Sequence, residues 1–335
     1  MKEEKRRGFF EAVFLGKNQI WRYLLVLLLV VIGYLVGQIP LGIAIAIKSM
    51  SGEIDQGLFE EFQRTADVSL FGLDTNAGLF LLLLSFVGGL VFLCAGVHYI
   101  HRRSWRTLVS YSGKINFSKI AYGFSLWLFL AFVAELPFLI SEPDSYVFRF
   151  DAGRFFVLLL LAVLLLPLQT TMEEFFFRGW IMQGMGAAFG SKIFPLVISS
   201  ALFAGVHMSN PEVLNYGAGP MMTYYLTAGL FLGLITILDD SLDLAIGVHF
   251  ATNFYAAVFV NYESAALQTG SLFKYTGDLN VAAMNVAFVI LALVFIFLAS
   301  KKYNWDFSIV SQPVIEPEVV HQANENSRDG IDIDK

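Results

Sequence analysis

The sequence predicts an all-α fold: a polytopic membrane bundle of about eight transmembrane helices, each needing about 20 apolar residues to cross lipid. Two observations predict it. Of 335 residues, 56% are hydrophobic and 15% charged, with a mean hydropathy of +0.64, whereas soluble domains carry roughly 25% charged residues. The apolar residues also fall in long uncharged runs. Lipid admits only helices or closed barrels, because every backbone polar group must find an internal partner. Continuous rather than alternating runs favour helices.

Residues 1–20 form an N-terminal arm. Phe9, Phe10, Val13 and Phe14 recur there at helical spacing, which suits a short helix on the membrane surface or a solvated arm. The transmembrane domain then runs from 21 to 300. Its spans are expected at Trp21–Ile47, Gly78–Ile100, Ile120–Ile140, Phe155–Phe177, Ile193–His207, Met222–Leu238, Leu244–Val260 and Val281–Ser300. Pro40 and Pro167 fall inside spans, where a missing N–H bends a helix. Residues 301–335 turn polar and acidic, too poor in apolar surface to fold, and are expected to be disordered.

The Lys/Arg bias of the loops sets orientation. Arg102, Arg103, Arg106, Lys114 and Lys119 fill the second loop with no acid. The first loop is acidic, with Glu53, Asp55, Glu60, Glu61, Asp67 and Asp74 against Lys48 and Arg64. Both termini are therefore expected in the cytoplasm of a multi-pass cell-membrane protein. The net charge of −6 offers no nucleic-acid partner. The single cysteine, Cys94, excludes an internal disulfide and reads as a packed thiol.

One stretch breaks the apolar pattern. Thr171–Trp180 reads TMEEFFFRGW, with two carboxylates and a guanidinium at membrane depth, where such groups are expensive and usually functional. Glu174 and Arg178 are four apart and share a helix face, acid first, the favourable order for an ion pair. Glu173 is rotated about 100° away and has no partner at that spacing. It needs a counter-charge from another helix or from an ion. His207 closes Phe203-x-x-x-His207, and His249 and Asn253 share a face of a later span. Histidine offers a neutral nitrogen ligand; asparagine can donate N–H to a developing oxyanion. Two His and a Glu from different spans are the inventory of a catalytic zinc-type site. Counting about 1.5 Å per residue, His249 lies some 9 Å and His207 some 21 Å from the starts of their spans, depths that should agree if both touch one ion. His98, His101 and His321 carry no assigned role.

Taken in order, Glu173-Glu174-x-x-x-Arg178, Phe203-x-x-x-His207 and His249-x-x-x-Asn253 resemble the CAAX-protease and bacteriocin-processing (CPBP, or Abi) family. The resemblance covers Leu168–Tyr255 directly, within a core of about residues 153–260, and does not extend to the first three spans. It implies an intramembrane glutamate-type metallo-endopeptidase that cleaves a membrane-associated peptide or protein near the cytoplasmic leaflet. In it Glu173 activates water, and His207 and His249, with or without Glu173, hold a divalent metal, zinc by first expectation, or position that water. Asn253 stabilises the oxyanion, and Glu174 and Arg178 support Glu173. The alternatives are a non-proteolytic membrane scaffold or bacteriocin-immunity protein of the same fold, and a transporter using Glu173 and the histidines as a proton relay.

Overall fold

The structure is a computed structural model that describes residues 8–50 and 56–317. Helix α1 spans Ile20–Met50, α2 Gln56–Thr65, α3 Thr75–Tyr99 and α4 Phe117–Ser141. Strand β1 (Tyr146–Phe148) precedes α5 (Ala152–Glu174), which continues as a π-helical stretch, Phe175–Met182, into α6 (Gln183–Phe189). Then come α7 (Ile193–Val206), α8 (Pro211–Tyr216), α9 (Ala218–Asp239), α10 (Asp243–Val258), β2 (Val260–Tyr262), β3 (Phe273–Tyr275) and α11 (Val281–Tyr303).

Capping sets where the apolar runs begin. Asp74, Asn116, Asp151 and Asn280 precede α3, α4, α5 and α11, and each accepts a hydrogen bond from the first turn of its helix. Among the described residues six helices are long and apolar enough to cross a membrane: α1, α3, α4, the 38-residue run Ala152–Phe189, α9 and α11. Exposed Leu24 and Leu28 on α1, Phe129 on α4, and Leu293 and Phe297 on α11 give these helices the apolar outer face that lipid requires.

The other two expected spans form shorter helices, α7 of 14 residues and α10 of 16. The reason for α10 is its place in the bundle. Residues 243 to 249 are all buried, Asp243 and His249 included, and α10 packs on α4, α5 and α9. Surrounded by protein, it needs neither the length nor the purity of a lipid-facing span. Gly247 makes that packing possible: a Cβ there would lie 2.2 Å from the Ile120 carbonyl oxygen of α4.

Three features depart from the sequence reading. Residues 8–13 of the N-terminal segment are packed against protein. Phe9, Phe10, Ala12 and Val13 are at most 2% exposed, in a 3-10 turn, Phe10–Leu15, that lies against α6. The charged residues 1–7 lie outside the described residues. The tail is ordered further than expected. Lys301–Tyr303 extend α11, Phe307–Ser311 form a 3-10 turn, and Ile309 and Val314 are buried; residues 318–335 lie outside the described residues. Finally, a small sheet of order β1-β3-β2 joins the α4–α5 and α10–α11 connections. Its pairing is antiparallel for Tyr146 with Tyr275 and parallel for Tyr262 with Tyr275.

His101 ties the N-terminal segment to the polar stretch. It is 1% exposed. One ring nitrogen faces the Lys17 carbonyl oxygen at 2.8 Å, and the other lies 3.0 Å from the indole nitrogen of Trp180. A carbonyl can only accept and an indole N–H can only donate. His101 is therefore neutral, with its proton on Nδ1, and Nε2 accepts from Trp180. Burial pulls its pKa from 6.5 to about 4. The unfolded chain then binds a proton between those values that the folded protein refuses, so stability rises with pH across that window. In detergent, the wild-type melting temperature is expected to hold above pH 6.5 and fall steadily from there towards pH 4. His101→Ala should melt lower at pH 7 with a flatter profile; an equally steep profile in that variant would remove His101 as the cause.

Candidate active site

The polar residues meet in a cavity of about 640 Å³ lined by Gln169, Glu173, His207, Glu212, His249 and Asn253 within otherwise aromatic and aliphatic walls. These six side chains come from α5, the end of α7, α8 and α10. Glu173 and Glu174 end α5, where the chain widens into the π-helical stretch and the Gln183 amide reaches back five residues to the Arg178 carbonyl. Such wide turns commonly mark functional sites.

Arg178 is 0% exposed and Glu174 0%. Nη1 of Arg178 donates to Oε1 of Glu174 at 2.8 Å, as the i,i+4 spacing predicts. Nη2 donates to the Gly229 carbonyl of α9 at 3.2 Å. Gly229 is close-packed as well: a Cβ would meet Cβ of Ser200 on α7 at 2.9 Å. The guanidinium also lies over the Phe203 ring, 4.6 Å from its centroid, a cation–π contact that offsets part of its burial. Phe203 is thus more than a helix-face neighbour of His207. Its ring covers Arg178 and stands edge-on to His249 at 6.0 Å, and its carbonyl oxygen lies 2.7 Å from Nδ1 of His207.

Glu173 finds its partner on another helix. Its Oε2 lies 3.2 Å from Nε2 of His249, whose Nδ1 lies 2.7 Å from Oε1 of Glu174. The imidazole therefore bridges the two adjacent carboxylates. Glu174, paired with Arg178, is the acceptor that fixes the proton on Nδ1. Nε2 and the Glu173 oxygen would then face each other as two acceptors unless one proton is held between them.

His207 ends α7. Its Nδ1–H donates to the Phe203 carbonyl, one of the last-turn carbonyls that lack a helical partner. Nε2 is left as an acceptor. The ring stacks on Tyr225 at 4.3 Å and 28°. The different depths counted from the sequence do not part the two histidines, since both line the same cavity. Asn253 donates to Oε1 of Gln169 at 2.8 Å, leaving its second N–H for another acceptor.

Sequence reasoning missed Glu212, Tyr225, Asn210 and Gln169. Glu212 is 4% exposed. It accepts a short hydrogen bond from the Tyr225 hydroxyl, and Asn210 donates to that same hydroxyl at 3.0 Å. Burial raises the Glu212 pKa. The only sequence signal was an acid after proline at a helix start, which ordinary capping explains equally well.

Glu173, His207 and His249, the residues expected to hold a divalent metal or to position water, all line this cavity. Among the described residues no three His, Cys, Asp or Glu side chains are grouped so as to hold a metal ion, and Glu173 and His249 face each other directly.

The fold and site define a multi-pass membrane protein whose buried helices enclose a glutamate- and histidine-lined cavity. Residues 153–255 match the family model described as type II CAAX prenyl endopeptidase Rce1-like. A relative from Bacillus subtilis (strain 168), the uncharacterized protein YyaK, is 29% identical over 256 residues, covering 75% of this chain and 81% of its own. No solved structure matches the chain.

Removing one member of a buried ion pair strands the other and costs roughly 3–5 kcal/mol. Arg178→Met should therefore lower the melting temperature in detergent sharply, and adding Glu174→Gln should recover part of the loss. An Arg178→Met protein that melts like wild type would show that the pair does not hold these helices.

Proposed function

We infer that the protein is an intramembrane endopeptidase in which Glu173 activates water to cleave a membrane-associated peptide or protein. The observation that carries this reading is the His249 bridge, 3.2 Å from Glu173 and 2.7 Å from Glu174, inside a cavity that also holds His207 and Asn253. The family of residues 153–255 supports the reaction class.

The chemistry follows from the hydrogen-bond roles. Glu173, oriented by His249, takes a proton from water as the water oxygen attacks the scissile carbonyl. Nε2 of His207, an acceptor, orients the same water through its second hydrogen. The free N–H of Asn253 donates to the oxyanion as it forms. The C–N bond then breaks, and the leaving nitrogen takes the proton gained by the Glu173–His249 pair. Glu174 and Arg178 hold His249 in the tautomer this requires. Tyr225, tied down by Glu212, holds the His207 ring flat against it.

Cleavage of a fluorogenic membrane-anchored peptide in liposomes tests this. Glu173→Ala and His249→Ala should lose about 10²–10⁴ of the rate, and Asn253→Ala about 10²–10³, each measured on protein shown to be folded by its circular dichroism. Full activity in Glu173→Ala would sink the proposal. Activity that survives exhaustive chelation would support a glutamate–histidine site acting without an ion. Loss on chelation with recovery on adding zinc would restore the metal expectation. A partner that co-purifies equally with wild type and Glu173→Ala, and is never cleaved, would favour the scaffold reading.

Tyr225→Phe keeps the stack on His207 and removes the bond to Glu212. Its expected effect is a fall in kcat with KM unchanged and the same pH optimum. A change in KM alone would assign Tyr225 to substrate binding.

A further inference from the structure

A second cluster of charge lies apart from the catalytic cavity, where α3 ends and the chain turns towards α4. His98, Arg102, Arg103, Ser104, Trp105 and Arg106 line a shallow open recess of about 590 Å³. From residue 98 to residue 119 the chain contains no acidic residue. Among the described residues no carboxylate pairs with Arg102, Arg103 or Arg106.

Arg103 is the unusual member. It is 5% exposed, and among the described residues its guanidinium has one hydrogen-bond partner, a neutral amide, Oε1 of Gln183, at 2.8 Å. Its Nε is buried with no partner at all. A buried cation without a counter-charge is expensive, and its neighbours do not explain it: His101 is neutral and Gln183 carries no charge. Burial draws the guanidinium down to about 10, still a cation at neutral pH. Arg178, equally buried, has its glutamate; among the described residues Arg103 has the neutral Gln183 amide, the Tyr23 phenol and the recess it lines.

The position indicates what fills it. The recess lies between the ends of two helices long and apolar enough to span a bilayer, α3 at Tyr99 and α4 at Phe117. Both of those aromatic residues are about three-quarters exposed, at 75% and 74%, as expected of side chains at the headgroup level. Arginine forks match phosphate oxygens, and basic groups beside a membrane helix attract anionic lipid. We propose that this recess binds the phosphate of an anionic phospholipid, with Arg103 at its floor and Arg102 and Arg106 at its rim. Because Arg103 holds Gln183, on the helix that continues from Arg178, the bound lipid would brace the stretch that carries the catalytic glutamates.

The full chain in detergent is titrated with short-chain phosphatidylglycerol, short-chain phosphatidylcholine or inorganic phosphate, and bound lipid is read by native mass spectrometry. Phosphatidylglycerol should be retained in preference to phosphatidylcholine and should not be displaced by inorganic phosphate. The exposed pair Arg102→Gln/Arg106→Gln, which leaves the packing intact, should weaken retention roughly 25-fold, about fivefold per arginine. Arg103→Gln should weaken it further, with Arg103→Lys recovering part. Lys301→Gln/Lys302→Gln, a basic pair at another helix end, should leave it unchanged. Equal retention of the two lipids overturns the proposal, as does equal loss in the Lys301/Lys302 control or unaltered binding in the Arg102/Arg106 variant. Full displacement by inorganic phosphate would identify a free-anion site and overturn the lipid assignment.

Discussion

The structure depends on a chain of charge buried within the helix bundle. Arg178 holds Glu174, Glu174 holds His249, and His249 faces Glu173. Each ion alone would be prohibitive in an apolar interior, and together they are tolerable only if the geometry is good. The surrounding helices meet that condition from several sides. Gly229 brings α9 close enough for its carbonyl to take an arginine N–H. Phe203 lays a ring over the guanidinium. Gly247 lets α10 press against α4 so that His249 reaches α5. The fold is thus an enclosure whose strictest fitting requirements come from the residues it is proposed to use.

The same constraint sorts the helices. The outer ones, α1, α4 and α11, carry apolar residues around most of their circumference and leave many exposed. The inner ones carry the polar groups: α10 holds Asp243, His249 and Asn253, and α9 is 56% buried along its most apolar window. Hydrogen bonds between them are few and directed, as expected where no water competes for donors. The polar networks lie along protein-facing surfaces and at helix ends.

Much of this was legible in the sequence where the signal was local. The i,i+4 spacing gave the Glu174–Arg178 pair, and the lack of such a partner for Glu173 pointed to another helix, where His249 stands. Apolar run length located the lipid-facing helices to within a few residues. The misses are non-local. Phe9 and Phe10 look the same in a sequence whether they face lipid or protein, and only α6 and its neighbours decide. Val314 reads as part of an acidic tail until its amide is seen to bond to the Gly190 carbonyl. Glu212 and Tyr225 are 13 residues apart, with no periodicity to connect them. His101 lacked a role because both of its partners, Lys17 and Trp180, come from distant parts of the chain.

The brevity of α7 has a physical consequence for the membrane. Its 14 residues span about 21 Å, against a hydrocarbon core of about 30 Å. It is too short to cross that core by itself, and its chain turns at His207 while Val206 beside it remains largely uncovered. Irregular backbone at such depth survives only against protein or water. The turn at His207 therefore has to be covered by protein or water, and the cavity that His207 lines provides that cover.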